Sequence, residues 1–178
     1  MANQKNASPI YIGRTEATPL GRLWIAVSDA GWVAIEDPLP ERDFRAALEA
    51  RFGRPVEADP GRVRPAARQV EEYLAGKRTG FDLPVDWSGL TPFQQAALRA
   101  TAAIPAGETR TYRQVAESIG HPGAARAVGR AEATNPLPLV LPCHRVVGTD
   151  GKLHGYGFGR GLKTKVWLQE LEKSRAKN

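Results

Sequence analysis

The twelve residues from Asn135 to Val146, Asn-Pro-Leu-Pro-Leu-Val-Leu-Pro-Cys-His-Arg-Val, restrict this chain more than any others. Pro136, Pro138 and Pro142 fix φ and remove backbone donors, which excludes a regular helix there. Leu137, Leu139, Val140 and Leu141 are apolar, so the expected form is a stiff, buried, extended segment. Such a segment delivers one polar group to one place. That group is Cys143, the only cysteine among 178 residues, with His144 and Arg145 directly behind it.

A lone cysteine is most often a small buried hydrophobe. A nucleophilic one needs a fixed position, a partner that keeps it ionised and restricted access. The cationic neighbours His144 and Arg145 lower the expected thiol pKa toward neutrality. Successive side chains of an extended strand point to opposite faces, however. His144 therefore reaches the sulfur only through a bridging water or a local twist.

The length fits one large domain or two small ones. One cysteine excludes a disulfide framework and a Cys-rich zinc cluster. Met1 to Pro9 lacks the apolar core of a signal peptide, and no apolar run reaches membrane-spanning length, so a cytoplasmic location is expected. The net charge of +6 is unevenly spread: residues 1–90 carry 12 Lys/Arg against 13 Asp/Glu, and residues 91–178 carry 13 against 6. The excess positive charge accompanies Cys143. A polyanionic partner follows, with nucleic acid first in line.

Tyr11 to Ala17, Leu23 to Ser28 and Trp32 to Ile35 alternate as short strands of a meander. Apolar spacing predicts helices over 41–52, stopped by Gly53, and over 63–75, stopped by Gly76. Lys77 to Asp86 reads as a strand or an extended linker. A boundary near Asp86-Trp-Ser-Gly-Leu divides the chain into a supporting α/β domain, 1–88, and a second domain, 89–178. Thr91-Pro92 is a strong helix start. Another helix begins at Thr111, Gly120-His-Pro-Gly breaks it, and a third follows from Ala124, which makes a helix-turn-helix. The last of these is nearly all Ala and Gly, with Arg126 and Arg130 one turn apart, and so can approach a sugar–phosphate backbone closely. The fold class is α/β (α+β): an antiparallel sheet with helices, then a mostly helical domain with a short active-site strand.

Pro142-Cys143-His144-Arg145-Val146 resembles the active-site signature of the O6-alkylguanine-DNA alkyltransferases. Thr111-Tyr112, Ala124-Ala-Arg126-Ala-Val-Gly, Asn135-Pro136, Gly155-Tyr156 and a final helix from Lys165 to Glu172 keep the family's order. The resemblance covers about Thr91 to Glu172, and the amino-terminal part matches in general layout only. It implies direct-reversal DNA repair: O6-alkylguanine, chiefly O6-methylguanine with O4-methylthymine as a secondary candidate, is flipped from the duplex through the minor groove. Arg126 then occupies the vacated stack, Ala125 and Ala127 lie against the backbone, and Arg130 adds charge. Cys143 attacks the alkyl carbon in one displacement. His144 takes the thiol proton through water and is oriented by Glu172. Tyr112 bonds the guanine as it leaves. Asn135 holds the hinge before the active-site strand, and Val146, Tyr156 and Pro138 line the pocket.

A thioether has no visible route back to the thiol, so the resemblance implies one event per molecule. The chain cannot build the Cys/His zinc site of some relatives, and neither metal nor cofactor is expected. The expected state is a monomer bound to double-stranded DNA. The Gly157–Gly161 loop is longer than in many relatives and flanks the pocket, which leaves alkyl-group size open. The principal rival is a non-enzymatic damage sensor of the same fold, against which Cys143 argues directly. A cysteine hydrolase normally places nucleophile and base far apart in sequence.

Overall fold

The computed structural model describes residues 8–175. It divides into two compact units, one up to Gly89 and one from Leu90.

In the first unit β1 (Ile10–Arg14), β2 (Trp24–Ser28) and β3 (Gly31–Glu36) form the expected antiparallel meander. Gly31 makes the tight β2–β3 turn possible. Its φ is +122°, and a Cβ there would lie 2.0 Å from the Pro84 carbonyl oxygen. Helix α1 (Glu41–Phe52) ends where expected, at Gly53 in the left-handed region (φ +61°), whose N–H reaches Glu49. A fourth strand, β4 (Val56–Ala58), pairs parallel with β1 and completes the order β3-β2-β1-β4. The sheet is therefore mixed. Three residues are too few for alternation to announce a strand.

Helix α2 (Pro60–Leu74) starts three residues before the expected Val63. Asp59 caps it by accepting from Arg62 N–H at 3.0 Å, and proline follows at the first helical position. The stretch expected as a strand or linker forms no strand of its own, pairing with β3 at one isolated bridge, Trp32 to Val85, and Asp86 accepts from the Ser28 hydroxyl of β2 at 2.6 Å. Ile10, Ile12, Trp24, Val33, Phe44 and Leu48 form the core between sheet and α1, with Trp24 stacked on Phe44 at 5.5 Å.

In the second unit α3 (Pro92–Ala102) and α4 (Tyr112–Ser118) both start in capping boxes, Thr91 with Gln94 and Thr111 with Gln114. Helix α5 (Ala125–Ala133) follows the Gly-containing turn, so the helix-turn-helix is present. Val115, Ala116, Val128 and Ala131 pack with Ala97 and Ile104. Two-residue strands β5 (Arg110–Thr111) and β6 (Val146–Val147) pair in parallel, and α6 (Leu162–Arg175) closes the unit.

Between α5 and β6 the chain departs from expectation. The approach to Cys143 is not extended. Leu139 takes φ +85°, a left-handed conformation uncommon for leucine, while 1% exposed. Cys143–Arg145 forms one 3-10 turn, and only Val146 and Val147 are strand. Proline's φ suits a turn as well as a strand. Side-chain hydrogen bonds from one residue, Asn135, decide between them.

Candidate active site

Asn135 closes the loop that presents the cysteine. Its Oδ1 accepts from Leu137 N–H at 2.9 Å, and its Nδ2 donates to the Leu141 carbonyl at 2.7 Å. The same side chain hydrogen-bonds the Cys143 sulfur. Successive side chains of a 3-10 turn stand about 120° apart, so the local twist replaces the opposed faces of a strand.

Cys143 is 7% exposed, and burial pushes its thiol up to about 12, with Glu132 adding to the rise. Hydrogen bonding from Asn135 and the charge of Lys165 pull the other way. The expected drop toward neutrality is thus reversed. Arg145 is committed elsewhere: Nη2 donates to Glu172 Oε1 at 2.8 Å, Nε donates to Oε2 at 3.1 Å, and Nη1 donates to the Ile104 carbonyl.

His144 is wholly buried, with Nε2 2.8 Å from Glu172 Oε1. A carboxylate only accepts, so the ring proton sits on Nε2 and Nδ1 is the basic nitrogen. Burial lowers the His144 pKa against the pull of Glu172, leaving the imidazole neutral at pH 7. Gly107 N–H also donates to Glu172, at 3.1 Å. The carboxylate that meets the histidine is Glu172, while Glu170 is exposed. One buried anion thus orders the imidazole, the guanidinium and a backbone amide.

Tyr112, half-buried, donates its hydroxyl to the His154 carbonyl at 3.3 Å. Burial raises its pKa, which keeps the phenol a donor. Lys165, read from the sequence only as the start of the final helix and not as a site residue, donates to the same carbonyl at 3.3 Å, is 1% exposed and lies 6.0 Å from the Tyr112 ring centre. Desolvation lowers its pKa, opposed by Cys143 and Glu132. Lys165, Leu168 and Glu172 all lie on the buried face of α6, a spacing that carried the signal. Glu132 on α5 was also missed. It is 7% exposed and accepts from the Thr101 hydroxyl at 2.6 Å.

Arg126, Ala127 and Arg130 face solvent, and Ala125 is half-buried. With Phe93 and Gln94 the three exposed residues line an open groove of about 740 Å³. Pro138 and Val146 are buried, and Tyr156, half-buried, stands edge-on to Phe158 at 6.5 Å. The long loop is pinned at its end. Arg160 N–H donates to Thr164 Oγ1 at 2.8 Å, and a Cβ at Gly159 (φ +63°) would lie 2.6 Å from that oxygen.

Fold and site together define a class: a helix-turn-helix protein that keeps one protonated thiol inside, with a neutral histidine next to it in sequence. Comparison with known proteins makes the assignment specific. Residues 92–174 match the family model for the 6-O-methylguanine DNA methyltransferase DNA-binding domain, and residues 11–87 that for its ribonuclease-like domain. The chain belongs to this methyltransferase family.

A methylated-DNA–protein-cysteine methyltransferase from Mycobacterium tuberculosis is 52% identical over 118 residues, 66% of this chain and 70% of the relative. The constitutive methylated-DNA–protein-cysteine methyltransferase of Bacillus subtilis is 35% identical over 89% of this chain and 93% of its own. Among solved structures, M. tuberculosis OGT in complex with DNA superposes with a TM-score of 0.75 at 38% identity, covering 94% of each chain.

Proposed function

We propose that this chain repairs DNA by direct reversal, moving the alkyl group of O6-alkylguanine to the sulfur of Cys143 once per molecule. The observation that carries the reading is the buried thiol followed on one 3-10 turn by a histidine whose far nitrogen is held by Glu172. A sulfur only 7% exposed cannot reach a base inside a duplex, so the base leaves the stack and comes to the sulfur.

At rest both partners are uncharged, the thiol protonated and the imidazole neutral. Transfer begins as the thiol proton passes to His144 Nδ1 through a bridging water. The Glu172 carboxylate stabilises the imidazolium that results. The sulfur lone pair then forms the S–C bond as the C–O6 bond breaks, and its electron pair goes to the guanine. Tyr112 leaves the His154 carbonyl and donates to the base as that charge develops. The proton parked on His144 returns through water to the base site, so guanine has exchanged its alkyl group for the thiol's proton and His144 is neutral again. Water would have to expel an unactivated thiolate from the thioether, too poor a leaving group for displacement at a saturated carbon, so the event is single.

Arg126 enters the vacated stack and Arg130 meets the backbone, both from the exposed face of α5. Ala125 and Ala127 let the helix lie close to the duplex. Pro138, Val146 and Tyr156 wall the base pocket, and Asn135 fixes the sulfur. The unit from Leu90 carries these groups, and residues 1–88 support it. A cytoplasmic setting keeps the thiol reduced, and we place the protein there. Among the described residues no helix is long and apolar enough to cross a membrane.

Intact-mass spectrometry after incubation with a duplex containing O6-methylguanine tests the reading. A gain of one methylene mass, about 14 Da, that disappears in Cys143→Ser is the expected result. Lesion-selective binding with no mass gain would overturn it and leave a damage sensor.

A further inference from the structure

Glu132 is a buried carboxyl that the transfer mechanism does not use. It sits in the last turn of α5, among alanines that pack against α3 and α4. Oε1 accepts from Thr101 at 2.6 Å, while Oε2 is fully buried with no hydrogen-bond partner among the described residues. A carboxylate so placed lacks the second set of donors that would stabilise its charge. The Thr101 hydroxyl from α3 is bonded to it, and its charge acts on three groups from other elements: the Tyr112 phenol of α4, the Cys143 thiol of the 3-10 turn and the Lys165 ammonium of α6. Glu132 and Lys165 thus act on the nucleophile with opposite sign.

Resting on the proposed alkyl transfer, we propose that Glu132 is a positioning residue that sets the reactivity of Cys143 through its own charge. Protonated, the carboxyl is electrically silent toward the sulfur and Lys165 alone biases it toward thiolate. Ionised, it opposes negative charge on the sulfur and offsets Lys165, so transfer slows. Burial holds Glu132 near a pKa of about 7, with the Thr101 hydrogen bond and Lys165 moderating the rise. The switch therefore falls in the neutral range. Repair by this protein then gains less from rising pH than a cysteine reaction without such a neighbour.

The test compares wild type, Glu132→Gln and Thr101→Val in single-turnover transfer from an O6-methylguanine duplex between pH 5.5 and 9. A parallel readout titrates the Cys143 thiolate by ultraviolet absorbance, carried well above pH 9 because burial pushes the thiol up to about 12, with Cys143→Ser as blank. Glutamine keeps the acceptor for Thr101 and cannot ionise. Its rate should match wild type below pH 6 and exceed it by about five-fold or more at pH 8.5, with thiolate forming at lower pH. Thr101→Val removes the bond that favours the carboxylate, so its inflection should move to higher pH. That shift carries the test should Glu132→Gln fold poorly. Parallel wild-type and Glu132→Gln profiles, with transfer intact, overturn this inference alone. No transfer to Cys143 in wild type overturns the proposed function instead. A merely structural Glu132 would change melting temperature and leave both pH profiles unmoved.

Discussion

Replacing Glu172 by glutamine removes the charge that holds His144 and Arg145 at the same time. Arg145 is 7% exposed and sends two side-chain nitrogens to this carboxylate, so glutamine strands a buried guanidinium. Breaking a buried pair from one side costs about 3–5 kcal/mol, and the amide oxygen left behind places Glu172→Gln near the lower figure. In a domain of this size about 3 kcal/mol lowers the melting temperature by about 12–24 °C. The assay is urea and thermal unfolding of wild type, Glu172→Gln, Arg145→Met and the double variant at pH 7. Each single variant should lose about 3 kcal/mol, and the double variant should recover at least about 1.5 kcal/mol of the summed loss because no buried charge remains unpaired. A Glu172→Gln protein melting within about 4 °C of wild type, or strict additivity of the two changes, refutes the reasoning.

Asn135→Ala deletes the bonds to Leu137 and Leu141 that close the cysteine loop; we expect a loss of about 1–3 kcal/mol in urea unfolding, with slower single-turnover transfer. Arg130→Ala, on an exposed face, should leave stability within about 0.5 kcal/mol. It should also flatten the log–log salt dependence of duplex binding by about one unit in fluorescence anisotropy, and an unchanged slope removes Arg130 from the phosphate contacts. Stability should also depend on pH through Glu132, whose carboxyl rises from 4.5 to about 7 on folding. The folded state holds that proton more tightly, so the contribution is complete below 4.5 and is lost as pH rises through about 7. Its ceiling is about 3 kcal/mol, and Glu132→Gln should show a flatter fall between pH 5 and pH 8 in urea midpoints.

Local chemistry made much of this architecture readable. Thr91 before Pro92, Thr111 before Tyr112 and Gly53 after Phe52 are boundary signals that act within one helical turn, and the structure uses all three. The exposed arginines of α5 followed from the same local periodicity. The loop before Cys143 did not, because prolines and leucines are compatible with an extended strand and with a turn. The choice was made by Asn135 bonding a carbonyl six residues away. The thiol environment was misread for a related reason. Arg145 is next but one to Cys143 in sequence, yet its charge is spent on a carboxylate 27 residues later. Lys165 and Glu132 were not singled out as site residues, because their influence on the one sulfur exists only once α5 and α6 are folded around it.

Helix α5 is held along its length by its mounting. Val128 and Ala131 are packed into the core, Glu132 takes the Thr101 hydroxyl, and Gln94 Nε2 donates to Thr134 at 3.0 Å just beyond its end. A reading helix fixed this way has little freedom to rock onto its target. The conformational work of a repair encounter therefore falls on the nucleic acid, which must bend and open to meet a rigid edge. Duplexes that are locally soft, at mismatches or at pyrimidine–purine steps, should be interrogated more readily than stiff A-tracts, with no base contact needed to explain the preference.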